Sequence, residues 1–383
     1  MKTKSNLSGA FIYNERVFGL DFLRALAIIL VVLKHGMGLL GNKLYHIQNA
    51  ILFEGVAIFF VLSGFLIGGL LIRMFVQGKV SIGDIFLFWR RRWFRTLPNY
   101  FLILFILIGL EKWKNPNFSV LVHKRYFLFA QNLWQEHPTF FAEAWSLCVE
   151  EWFYFLIPLS MLVMRLIKLP LQRTILLTIL IFIVVPLVFR YERYLVVDVK
   201  NITDWDLIFR KQVFTRLDGI TFGVLGAYFQ YYHKNLWDRY KKQLLLVSMI
   251  LFTLLKANEL TVQTYGVFKC VFYFTIYALA TLCLLPFLSN WKSNTSILGK
   301  WITNISLISY SMYVLNLSIV MGYILPLIDL PILFRGTWLG LLLNYTLYWG
   351  MTIGLSTLLY RYFESPITNL RDVERSGSWL RKF

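Results

Sequence analysis

Charge is what this 383-residue sequence has little of: only 15% of its residues are Asp, Glu, Lys or Arg, where a soluble domain carries about a quarter. No polar stretch is long enough to form a separate water-soluble domain. Cysteine is scarce as well. Cys148, Cys270 and Cys283 lie in or near apolar segments without a CxxC partner, so neither a disulfide frame nor a zinc site is expected. Acidic residues number 20 against 39 Lys and Arg, a net charge of +19. In a soluble chain that excess would point to nucleic acid. Here it fits basic loops that face the cytoplasm and anionic lipid, so the expected partner is the bilayer and not nucleic acid.

What is present instead is apolar length. The chain is 58% hydrophobic with a mean hydropathy of +0.60. Apolar runs of about 17 to 25 residues, the length a helix needs to cross a bilayer, recur throughout. The first is too long for a signal's apolar core, and it holds Arg24 and His35. It should therefore stay in the membrane. The pattern predicts an all-α polytopic transmembrane bundle in a single domain over 1–383. Ten spans are expected near 17–40, 51–72, 97–111, 146–165, 174–190, 215–232, 243–256, 267–290, 303–326 and 337–360. The third and seventh are short, which leaves tilt, extension by flanking residues or misplaced bounds open. Residues 112–145 leave room for a partial or re-entrant segment around Tyr126–Trp134. With the N-terminus inside, the inner segments hold 23 Lys and Arg against 14 in the outer loops, which places both termini in the cytoplasm. No repeat relates the two halves, and that weighs against a transporter built on inverted repeats.

The first span reads GLDFLRALAIILVVLKHG over 19–36. Arg24 and His35 are eleven residues apart, which on a helix puts them within roughly 20° of one another and about 16 Å apart along the axis. Charged groups at such depth face a cavity or a partner. Histidine can accept a proton from a hydroxyl near neutral pH. Arg24 reads equally as an interfacial arginine paired with Asp21 one turn back. His35 also has a plainer reading, at the outer interface beside Lys34. Of five histidines only His35 falls inside a span; His46, His123, His137 and His233 read as ordinary polar residues of loops and span ends.

Four further segments carry polar groups at the ends of apolar runs. In the second span Ser63, Gly64, Gly68 and Gly69 form a small-residue stripe. Its default meaning is close helix packing, with approach of a ligand to bare backbone as the alternative. Arg90, Arg91, Arg92 and Arg95 crowd the start of span three, a strong topology signal. Arg92 and Arg95, spaced i and i+3, also share a face that could clamp phosphates, and Pro98 would break or start the span. Glu150 lies several residues inside the fourth apolar stretch, where a carboxylate faces the bundle interior. There it could orient a histidine. Asp218, Tyr310, Ser311, Asn316 and Glu364 read first as hydrogen-bonding groups between helices.

Together and in this order, these segments resemble the acyltransferase-3 family of membrane acyltransferases. The family's R-x10-H first helix corresponds to Arg24 and His35, with Phe22 in the usual glycine place. FFVLSGFLI stands intact at 59–67. The arginine motif RRxxRxxP is Arg91 to Pro98. WSLSVEEQFYLxxP is Trp145 to Pro158, with Cys148 for serine and Trp152 for glutamine. SYSLYLxH is Ser309 to Asn316, and FExP is Phe363 to Pro366. The likeness covers about 17–367. Asn316, where many members have histidine, leaves His35 as the sole histidine candidate. The resemblance implies an enzyme of the inner (plasma) membrane, with no permanently bound cofactor. It would transfer an acyl group, most often acetyl, from acyl-coenzyme A to a hydroxyl of a surface or lipid-linked glycan. It would work without the secreted domain some members carry. Arg24, Arg91, Arg92 and Arg95 would then hold the donor, and His35 would act as general base with Glu150 fixing its charge or orientation. A transient acyl-His35 stays open. The rivals are a transporter that uses Arg24 and His35 as a proton relay, and an assembly partner without chemistry.

Overall fold

A computed structural model describes residues 16–41, 51–78, 80–261, 264–328 and 337–373. Among them regular structure is helical throughout and no strand occurs. Eight helical stretches are long and apolar enough to cross a membrane. They are α1 (Phe18–Gly36, extended by a 3₁₀ turn to Leu40), α2 (Gly55–Val76), α3 (Ile82–Lys114), α4 (Ala144–Leu166), α5 (Leu171–Val196), α7 (Lys241–Thr261), α8 (Phe268–Leu288) and α9 (Ile297–Leu315, running on to Leu327). The other two expected spans are helices as well. α6 (Leu217–Tyr232) has 16 residues, short of the roughly 20 that span hydrocarbon. α10 (Trp338–Leu359) is long enough but diluted by Asn344, Thr346, Thr352 and Ser356. A last helix, α11 (Ser365–Val373), returns to pack on α3.

One boundary expectation needs correction, and one open region is resolved. The third span is not short: α3 has 33 residues, about 50 Å at 1.5 Å per residue. Its Arg-rich segment is the helix's own first half, not a loop before it. The reason lies upstream, where Ser81 and Asp84 form a reciprocal capping box that starts the helix. Pro98 neither starts nor ends it but sits inside. The 112–145 region holds no helix of spanning length. After α3 it forms a 3₁₀ segment, Val120–Leu128, and folds back on the bundle. Tyr100 donates to the Tyr126 carbonyl at 2.9 Å, and Asn132 donates to the Trp145 carbonyl at 3.1 Å.

α2 and α6 form the centre. Burial covers 72% of the apolar window of α2 but only 11% of that of α7, so α7 lies at the lipid-facing edge. The α2–α6 contact is backbone on backbone. A Cβ on Gly64 would stand 1.8 Å from the Ile220 carbonyl oxygen, and one on Gly223 2.0 Å from that of Val61. Gly64 and Gly68 therefore serve packing, as the stripe suggested. Gly69 meets only the Arg73 side chain. α6 is further tied by a fully buried pair: Arg190 of α5 donates to both Asp218 oxygens at 3.0 and 2.7 Å, and Thr275 adds a third bond at 2.7 Å. α1 lies between α2 and α9, so the helix bearing Arg24 and His35 is an inner one. α4 packs on α3 and α5.

Candidate active site

Four of the six candidate residues line one cavity. Arg24 of α1, Arg92 and Arg95 of α3 and Glu150 of α4 surround a space of about 160 Å³ between α1, α2, α3, α4 and α9. Arg24 and Arg95 also line a wider space of about 470 Å³, bounded by Arg16, Asp21, Glu364 and Asn369. Two arginines thus stand where a broad vestibule meets a narrow inner chamber. The vestibule has the size of a small-molecule site, roughly 300–1,000 Å³. The chamber takes only a slender chain.

Arg24 and Arg92 are held in place. Arg24 lies 3.2 Å from Asp21 and 3.3 Å from the Ser306 hydroxyl, while Arg16 grips the same carboxylate twice at 2.9 Å. The Asp21 pairing foreseen for an interfacial arginine is real, yet Arg24 still lines both spaces. Arg92 bonds the Tyr154 hydroxyl, lies 3.5 Å from Ser63 and 3.7 Å from Glu150, and covers the Tyr154 ring at 4.2 Å. Its Nε–H has no partner, so one donor remains for a ligand. Arg91 does not line either space.

The structure does not pair Glu150 with His35. Glu150 accepts from Tyr154 at 2.6 Å and faces Arg92. Its neighbour Glu151 accepts from Thr96 at 2.8 Å. The partner of His35 is Asn316: Nδ1 lies 2.5 Å from the Asn316 Oδ1. The amide cannot be turned round, because its Nδ2 donates to the Met312 and Tyr313 carbonyls at 2.7 and 2.8 Å. Oδ1 must therefore accept, His35 Nδ1 must carry the proton, and in the neutral ring Nε2 keeps its lone pair. Asn316 opens a π-helical stretch, Asn316–Ile324, the kind of irregularity that marks functional sites. Ser146 and Tyr313 are among the residues that line the inner chamber, whereas His35 lines neither space. Tyr313 is one turn before Asn316 on the same helix.

A second charged group stands beside the end of α1. Lys34 pairs with Glu54, the residue before α2. Arg210 binds Glu54 at 3.0 Å and Asp206 at 2.6 Å while covering the Trp145 ring at 4.8 Å. Burial pushes the Asp206 carboxyl up, but Arg210 and Lys211 outweigh it and hold the group below its ordinary value. Burial drives His137 down to about 4, so it is a neutral structural ring that donates to the Phe141 carbonyl at 3.0 Å. His46 lies outside the described residues.

Sequence reasoning missed Glu54, Ser63 as a cavity residue, and Tyr154. Tyr154 follows Glu150 by four, a spacing that puts both on one helix face. Glu54 is a carboxylate directly before an apolar helix. The sequence marks Asn316 as a hydrogen-bonding group between helices and as a replaced histidine, but does not name His35 as its partner.

A family model described as an acyltransferase domain matches residues 17–361. The chain belongs to the acyltransferase-3 family. It is a multi-pass membrane protein. The O-acetyltransferases OatA of Staphylococcus aureus strains COL and MW2 are 29% identical over 157 residues. That stretch is 37% of this chain and 24% of those proteins, so the likeness spans about a quarter of their length. No solved structure matches the chain. The acyltransferase-3 motifs, scattered over 350 residues of sequence, converge on the two spaces just described. Arg24, Ser63, Arg92, Glu150 and Tyr310 line the chamber, and Glu364 lines the vestibule. Glu364 also ties its motif to that of Ser309–Asn316 and to Asn99, the residue after the arginine motif, accepting from Ser311 at 2.5 Å and Asn99 at 2.7 Å.

Proposed function

We propose that this chain is an O-acyltransferase of the plasma membrane that moves an acyl group, most often acetyl, from acyl-coenzyme A to a hydroxyl of a surface or lipid-linked glycan. One observation carries the reading. The same inner helix presents Arg24 to the vestibule and His35 to Asn316, which leaves Nε2 of His35 as a base. Coenzyme A is a polyanion made in the cytoplasm. Its phosphates meet Arg24, Arg95 and the free Nε–H of Arg92, with Arg91 as a further contact at the mouth. The pantetheine arm extends into the chamber, and its thioester reaches the inner end near Tyr313. His35 Nε2 takes the proton of the acceptor hydroxyl as its oxygen attacks the thioester carbonyl carbon. The carbon–sulfur bond then breaks, and the departing thiolate takes the proton back from the imidazolium. Glu150 acts on the donor side by holding Arg92, not on His35. The N- and C-termini face the cytoplasm. In support, Arg16 and Asn369, near the two described ends of the chain, line the same vestibule.

The test is purified protein in vesicles with labelled acetyl-coenzyme A and envelope glycan. Label should move from the thioester to base-labile ester on the glycan. No transfer to any envelope material, together with solute uptake by the same vesicles, would replace this reading with the transporter one.

A further inference from the structure

A third cavity, of about 560 Å³, lies at the opposite ends of the helices that carry the donor residues. Lys114, at the end of α3, is nineteen residues beyond Arg95, about 28 Å along the helix, which is close to the hydrocarbon thickness of roughly 30 Å. On α9 the same cavity is lined by Ser318 and Tyr323, beyond the Ser309 and Tyr313 that line the chamber. The two spaces therefore open toward opposite faces of the membrane.

One wall is aromatic. The His123 ring stacks on Phe118 at 4.7 Å and 22° and lies 4.4 Å from Phe140, and Phe118 and Phe140 are 5.5 Å apart. The facing wall is polar. Tyr323 donates to Glu111, and the Lys114 ammonium sits 4.1 Å over the Tyr323 ring. At the boundary with the chamber, Ser318 donates through its backbone and its hydroxyl to the Glu143 carboxylate, whose own backbone carbonyl accepts from Tyr313 at 2.9 Å. Three linked residues, Ser318, Glu143 and Tyr313, thus separate the two spaces.

We propose that this cavity binds a neutral sugar ring of the acceptor; this rests on the acyl-transfer reading above. A pyranose has two apolar C–H faces and an edge of hydroxyls. The faces fit flat rings such as Phe118, Phe140 and His123, and the edge fits a carboxylate that accepts and an ammonium that donates. The volume is that of a small-molecule site. A lipid tail would leave Glu111 and Lys114 facing hydrocarbon. A phosphate would meet Glu111 beside the lining's single ammonium. Exposed Trp113, Leu121 and Val122 flank the cavity and suit the interface between lipid and water, where a membrane-bound or surface glycan is within reach.

The test uses the full chain, [¹⁴C]acetyl-coenzyme A, and envelopes of source-strain cells lacking this protein as acceptor. Phe140→Ala and Glu111→Gln should raise the envelope concentration for half-maximal transfer at least tenfold, while coenzyme A affinity stays within twofold. Phe140→Trp should keep transfer. Thr139→Cys, at the cavity wall, should react with an impermeant thiol reagent added to intact cells. Transfer should then fall at least tenfold and return with dithiothreitol. Cys148, Cys270 and Cys283 are buried, so wild type should be indifferent to the reagent. Wild-type half-saturation in both substituted proteins, or normal transfer by modified Thr139→Cys, overturns the inference alone. Because modification follows folding, that arm decides even if Phe140→Ala fails to fold. A wild type that acetylates no envelope material overturns the acyl-transfer reading, and this inference with it.

Discussion

Asn316 fixes the orientation of the His35 ring without adding charge. Its Oδ1 is committed to the imidazole because its Nδ2 is committed to two backbone carbonyls. Asn316→Ala should therefore lower kcat about tenfold or more with the KM for acetyl-coenzyme A unchanged, since the loss falls on the orientation of the base. Arg92→Lys should do the reverse. It removes the planar fork that reaches Tyr154, Ser63 and Glu150, and a lysine does not replace that geometry. The expected result is a rise of about tenfold or more in donor KM, read from initial rates. At this scale the residue types were legible in sequence, but their partners were not. Glu150 reads correctly as a carboxylate facing inward. That it meets Arg92 and not His35 depends on how α3 and α4 are rotated against each other, which no single-chain spacing encodes. Glu54 escaped notice because its cations come from different segments, Lys34 from α1 and Arg210 from a stretch 156 residues further on.

Helix contacts decide where those side chains stand. Gly64 meets the Ile220 carbonyl with no room for a Cβ. Gly64→Ala should lower the melting temperature of the solubilised protein sharply or abolish its monodispersity, whereas Gly69→Ala should leave both unchanged. Asp218→Ala strands a buried Arg190 and should cost roughly 3–5 kcal/mol, measurable as a lost or early thermal transition. Apolar length made most spans legible. It failed where a helix outran its apolar part, as in α3, whose Arg-rich half is helical because Ser81 and Asp84 cap it. It says little about 112–145, where buried Tyr126 and Asn132 fold the chain by hydrogen bonds to backbone. The π-helical stretches at Asn316–Ile324 and Tyr360–Glu364 leave no periodicity signal that a short window detects.

Over the whole molecule, the motifs matter through convergence. Segments spread from Arg24 to Glu364 close on a vestibule and a chamber at one end of the bundle, and an aromatic cavity occupies the other. The order of motifs was legible in sequence, and the excess of basic residues gave the expected cytoplasmic side. The aromatic cavity was not legible, because Glu111, Phe118, Phe140 and Tyr323 carry no spacing that sets them apart from a loop. In the proposed reaction His35 acts as base between a donor and an acceptor that arrive from opposite faces. The most direct measurement is single-turnover acetyl transfer by reconstituted His35→Ala, with coenzyme A affinity measured on the same preparation. Affinity should match wild type while the rate falls about 10²–10⁴-fold, as for loss of a general base. A His35→Ala protein that binds coenzyme A normally and transfers acetyl at the wild-type rate would contradict the account at its centre.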